Sequence, residues 1–168
     1  MAAAPFAAAS PARFTVDFTA GRAVTSVPGG PSIAVGVGST GSVVRAGGSS
    51  DLTGTQTVTI TFGQEVRDVT FTVAGLTRVN NSGINGLLEQ VTVAPAPGVA
   101  SRSGAVGAAT AASPLQASAE GQEGSALVTM AGPLRSLTIT LSSAQGRAVP
   151  RVTITGMSFI AEAGTAAP

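Results

Sequence analysis

This 168-residue sequence predicts an all-β fold, a single antiparallel two-sheet sandwich of jelly-roll type. Three observations carry that reading. Apolar residues alternate with Thr and Ser at period 2 in short runs bounded by Gly, Pro, Asn and Ser clusters, the pattern of half-buried strands. No window sustains the i, i+3, i+4, i+7 spacing of an amphipathic helix, so nothing can serve as the crossover of a parallel sheet. Closely spaced turn signals between about eight to ten such runs suit sandwiches and jelly rolls.

The runs follow in order. Phe14-Thr-Val16-Asp-Phe18 puts three apolar residues on one side, and Ile33-Ala-Val35-Gly-Val37 follows the break at Pro28-Gly-Gly-Pro31. Val58, Ile60 and Phe62 alternate with Thr57, Thr59 and Thr61 in the strongest run. Gly63-Gln64 then reads as a tight connection into Val66-Arg-Asp-Val69-Thr-Phe71-Thr-Val73, where the slip in apolar phase between Val66 and Val69 predicts a bulge. After the turn-rich Asn80-Asn81-Ser82-Gly83 come Leu87-Leu88 with Val91 and Val93, then 126–130, 137–141 and 152–154. The last run changes phase at Gly156 before Met157-Ser-Phe159, which predicts a second bulge.

The expected domain spans 13–162, with a tail at 1–12, read as a signal-peptide remnant or an artificial start, and another at 163–168. Residues 95–124 are a composition outlier. A structureless loop of that length is unusual in a compact domain, so two weakly patterned edge strands are expected there, around Val99 and Leu115. A functional or disordered insertion is the alternative.

What is missing restricts the chemistry. There is no Cys and no His, which removes disulfides, thiolate nucleophiles, Ser-His-Asp machinery and most transition-metal sites. No cofactor or metal is expected. Charged residues make up 10% of the chain and the net charge is +1, against about 25% charged in an average domain. Nucleic acid is therefore not an expected partner, because phosphate tracking needs a basic stripe. No segment approaches the ~18 consecutive apolar residues of a membrane span. The first twelve residues carry no charge and look like the small-residue end of an export signal. With the Thr/Ser/Gly-rich, low-charge composition, they point to a secreted or cell-surface protein.

Paired strand motifs add a resemblance. The string Val58-Thr-Ile-Thr-Phe-Gly-Gln-Glu-Val-Arg-Asp-Val-Thr-Phe-Thr-Val73, followed by Glu89-Gln-Val91-Thr-Val93, resembles a hairpin and following strand of secreted bacterial jelly-roll domains, the galactose-binding-like surface modules. Gly132-Pro-Leu-Arg-Ser-Leu137-Thr-Ile139 and Ile154-Thr-Gly-Met-Ser-Phe159 are similar to the close of such domains. The likeness covers roughly 54–93 and 126–160 and rests largely on strand alternation. It implies a jelly-roll fold and sugar binding as one function of such modules. Many relatives carry an acidic, calcium-suited segment after the second strand; here Ala74-Gly75-Leu76-Thr77 stands in that place. Without carboxylates a calcium site is not expected there.

The remaining candidates are modest. Asp17, Asp68 and Glu89 lie in or beside expected strands, and a glycosidase would need two carboxylates ~5–9.5 Å apart across a cleft. Ordinary solvation and Arg pairing explain them better, so no catalytic residue is expected. The Thr rows 55/57/59/61, 70/72 and 138/140 suit a carbohydrate- or ice-facing surface, but Thr is also an ordinary strand residue for a solvated face. Asn80 and Asn81 are candidate binding amides as well as ordinary turn residues. Val99, Arg102 and Leu115, with Val106, are candidate contact residues of the 95–124 segment.

The expected function is a non-enzymatic extracellular structural or adhesive module acting through protein contacts, with itself or other surface proteins. A glycan-binding jelly roll is the alternative, and a carboxylate-dependent hydrolase the weaker one.

Overall fold

A computed structural model of the chain describes residues 10–17, 27–37, 56–79, 87–143, 152–154 and 156–163. Among them there is no helix, and hence none that could cross a membrane. Among the described residues ten strands follow one another: β1 (Pro11–Asp17), β2 (Ile33–Val37), β3 (Gln56–Val79), β4 (Leu87–Ala94), β5 (Gly98–Ser103), β6 (Ala105–Val106), β7 (Gln116–Ala117), β8 (Glu123–Met130), β9 (Leu134–Ser143) and β10 (Gly156–Glu162). Eight belong to one antiparallel sheet, and β6 and β7 make a second, two-stranded one. Strand β1 includes Pro11 and Ala12, which the expected tail had covered; Phe18 and the ends at 1–9 and 164–168 lie outside the described residues.

Strand β3 organises the molecule. Its first half pairs with β2 through Ile33↔Phe62 to Val37↔Val58, and with β9 through Gln56↔Leu141 to Thr61↔Ser136. Strand β9 also pairs with β4, giving a ladder in the order β2-β3-β9-β4. The second half of β3 leaves those partners and takes β10 and β8. With β1 on β10 and β5 on β8, a second ladder runs β1-β10-β3-β8-β5.

Gly63-Gln64 is therefore no hairpin connection. The two halves of β3 do not pair with each other; the strand passes straight through and exchanges neighbours, the way corners are made where strands switch layers. Gly63 still donates its N–H to the Ser32 carbonyl at 2.8 Å, extending the β2 ladder by one bond. The expected bulge is present just beyond it. Register on the β10 side shifts between Ile160↔Arg67 and Ser158↔Thr70, and Asp68 adopts φ 47°. Its N–H reaches the Ala131 carbonyl at 3.0 Å. Asp tolerates the left-handed region better than most residues, which makes it a suitable residue for the kink.

The slip at Gly156 is also visible. From the bridge Ala74↔Thr153 to the pair Met157↔Phe71, the numbering advances four positions on the later side against three on β3. One extra residue on one side is the defining count of a bulge.

Alternate residues of both ladders enter one core. Val58, Ile60 and Phe62 come from the first half of β3; Val69, Phe71 and Val73 come from the second. The fully buried Phe159 of β10 meets Phe62 edge-on at 5.2 Å between ring centroids and Phe14 of β1 at 5.9 Å. Edge-to-face pairs at that separation are favourable beyond the area they bury. The arrangement is sandwich-like: two ladders joined through β3 share the apolar side of each.

The composition outlier at 95–124 is ordered. The expected edge strand at Val99 is β5, held by β8 through Gly98↔Thr129 to Ser101↔Ala126. Around Leu115 there is no full strand, only a bridge to Val91 followed by the short β7. The excursion returns along β4: Val91 and Leu115 exchange two backbone hydrogen bonds of 2.9 Å, and Val93 N–H donates to Ala109 O at 2.7 Å. Its turn depends on Gly107, at φ 107°, where an added Cβ would run into the Pro114 carbonyl.

Candidate functional site

The polar sides of the two ladders are built mostly of hydroxyls. On β2-β3-β9-β4, Thr57 pairs with Thr140 and Thr59 with Thr138, their Oγ1 atoms 3.3 and 3.4 Å apart. Thr61 stands opposite Ser136, and Thr92 opposite Thr140. Two Thr rows far apart in the sequence are thus adjacent rows of one surface. None of these positions carries a charge. Each threonine presents a methyl beside its hydroxyl, so the surface is polar yet cheap to dehydrate compared with ionised groups.

On the other ladder, one register row runs Thr15↔Ser158↔Thr70↔Thr129↔Gly98 across five strands. Ser158 Oγ lies 2.7 Å from Thr70 Oγ1 and accepts a hydrogen bond from Arg13 Nη1 at 3.2 Å. Beside this row is a shallow cleft of about 500 Å³, bordered by Thr15, Thr72, Leu127, Gly156 and Arg102. Its floor is strand backbone, with the side chains of Val16, Phe71 and Met157 buried in the core.

The expected binding residues separate in space. Arg102 is exposed on β5, within the register shift between Ser101 and Ser103, and borders the cleft. Val99, on the same strand, is half-buried and packs against the core. Leu115 is fully buried and bonded to Val91, so it belongs to the core and not to a contact patch. Val106, 47% exposed, is the large apolar residue left at the surface of that segment among the described residues. Asn80 and Asn81 lie outside the described residues.

Asp68 and Glu89 are not brought together as a glycosidase pair. Asp68 is exposed at its kink, whereas Glu89 is completely buried. Glu89 Oε2 accepts the Thr77 N–H at 2.6 Å, and Thr77 is nine residues beyond Asp68 on β3, at most about 30 Å at ~3.3 Å per residue. Glu89 serves the fold. Between Val73 and Leu76 the β3–β8 register shifts, Gly75 takes φ 82°, and the Glu89 carboxylate satisfies the amide just past the irregularity. Leu76, just past the irregularity, is fully buried. No group of three or more His, Cys, Asp or Glu that could hold a metal occurs among the described residues.

Thr15, Ser158, Gly156 and Leu127 are not among the site residues expected from the sequence. Alternation assigns each to a polar side, but only the register shows that they surround Thr70 and Thr72.

The chain matches no known protein family, no characterised protein and no solved structure.

Proposed function

We propose that this chain is a non-enzymatic extracellular module of jelly-roll type, structural or adhesive, that works through protein contacts including contacts with its own copies. The observation that carries this reading is the uncharged hydroxyl surface of Thr57, Thr59, Thr61, Thr92, Thr138 and Thr140 on β2-β3-β9-β4. Charged residues are depleted at the centres of protein interfaces because their dehydration is costly. Alternating Thr methyls and hydroxyls offer packing and hydrogen bonding without that cost. The extracellular placement rests on the low charge, the Thr/Ser/Gly-rich composition and the small-residue N-terminus. The jelly-roll assignment rests on the resembling strand motifs and on the exchange of partners along β3.

The reading is tested by the solution mass as a function of concentration. It predicts oligomers that dissociate on dilution and that are lost when a charge is placed in the middle of the hydroxyl surface. A strictly monomeric protein over the whole range would refute self-contact.

A further inference from the structure

The cleft beside Arg102 has features that the contact reading does not use. It lies on the other ladder, and its volume of about 500 Å³ is within the usual size of small-ligand sites. Gly156 stands two residues before Ser158 on the same side of β10. It lines the depression with Thr15 of β1 and Thr72 of β3, and its register partner on β1 is Asp17.

The donor set is specific. Neither Thr15 nor Thr72 has a side-chain hydrogen-bond partner among the described residues, while the Thr70–Ser158 pair retains acceptor capacity. At the β5 end stands the Arg102 guanidinium, exposed and without a carboxylate partner among the described residues. The ion pair found there is elsewhere, Arg135 with Glu65 at 3.9 Å. Asp17 stands on β1, at the far edge of the sheet from Arg102. From β5 to β1 the ladder spans about 19 Å at ~4.8 Å per strand, longer than one sugar ring.

We propose that this cleft binds a carboxylate-bearing saccharide. A free guanidinium fork pairs with a carboxylate in two parallel hydrogen bonds. The hydroxyls of Thr15, Thr70, Thr72 and Ser158 match ring hydroxyls, which both donate and accept. Leu127 and the Thr methyls supply contact for the C–H side of a ring. An extended peptide fits less well, because it would need a strand edge for its backbone bonds, whereas this surface is the face of paired strands. The proposal goes beyond the contact reading and requires no second copy.

The test is amide chemical-shift titration of ¹⁵N-labelled protein with three probes. These are a short oligogalacturonate, the same oligomer fully methyl-esterified, and an oligoglutamate of equal charge. The expected result is saturable shifts at Thr15, Thr70, Thr72, Arg102 and Leu127 with the free acid, and at least tenfold weaker binding of the ester and of the peptide. Arg102→Ala should lower affinity by about tenfold, the size expected for losing hydrogen bonds to a charged group. Thr72→Val should lower it about threefold on the same grounds, and Arg135→Ala should leave it unchanged. No saturable shifts with oligogalacturonate, equal binding of ester or peptide, or an unaltered Arg102→Ala variant would each overturn the proposal. Because the probes need no oligomer, failure here leaves the contact reading standing, and the reverse also holds.

Discussion

Val91 on β4 and Leu115 on the 104–117 excursion exchange both backbone hydrogen bonds, each 2.9 Å long. One edge of the β2-β3-β9-β4 ladder is thereby covered by the chain's own backbone, which blunts the template that an exposed edge offers to another strand. Leu115 is fully buried beneath this contact, beside the buried Ala109 and Ala117. Truncating it with Leu115→Ala should destabilise the protein by about 2–5 kcal/mol. It should also speed hydrogen exchange at Val91 and Val93. Urea unfolding gives the first number, and amide exchange followed by NMR the second; slow exchange at both amides in the variant would contradict the edge-cover role.

Gly107 makes the same excursion possible. Gly107→Ala places a Cβ against the Pro114 carbonyl in a backbone conformation that L side chains rarely adopt. The expected loss is about 1–3 kcal/mol, read as a lower urea midpoint with an unchanged slope.

How far the sequence could be read depends on which signals are local. Alternation is local, so the inward sets Val58/Ile60/Phe62 and Val69/Phe71/Val73 were legible, as was the phase slip that becomes the Asp68 kink. Gly63-Gln64 misled because a glycine between two alternating runs fits a turn as well as a strand passing close to another backbone. Only the partners decide, and Ser32, far back in the chain, is one of them. The 95–124 segment lacked periodicity because it contributes to the core through single residues such as Ala109, Leu115 and Ala117, not through one face of a long strand. The hydroxyl surfaces were half legible. Each Thr row shows in the sequence, but the register that sets Thr59 against Thr138, or Thr70 against Ser158, does not.

The Asp68 kink gives a test of the β3 path. Asp68→Gly should be neutral or stabilising by up to about 1 kcal/mol, because glycine adopts φ 47° freely. Asp68→Val should cost about 1–2 kcal/mol, since a β-branched residue is a poor fit at positive φ. Thermal unfolding of the two variants checks the order; a more stable Val variant would mean that β3 does not kink there.

Glu89 separates a structural acid from a catalytic one. Glu89→Gln keeps an oxygen for the Thr77 N–H and should be mild, whereas Glu89→Ala leaves that part-buried amide without its partner beside a void. The alanine variant should lose about 2–4 kcal/mol. Equal stabilities of the Gln and Ala variants in urea would show that the Thr77 bond does not support the β3 irregularity at Gly75.

The central claim is that the uncharged Thr surface makes protein contacts, and one measurement addresses it most directly. Light scattering over a wide concentration range, with refractive-index detection because Trp and Tyr are absent, compares the native chain with Thr138→Arg. The account predicts that the native mass rises above 16.2 kDa with concentration, while the folded variant stays monomeric. A native protein that remains at the monomer mass throughout, or a variant that associates equally well, would contradict it.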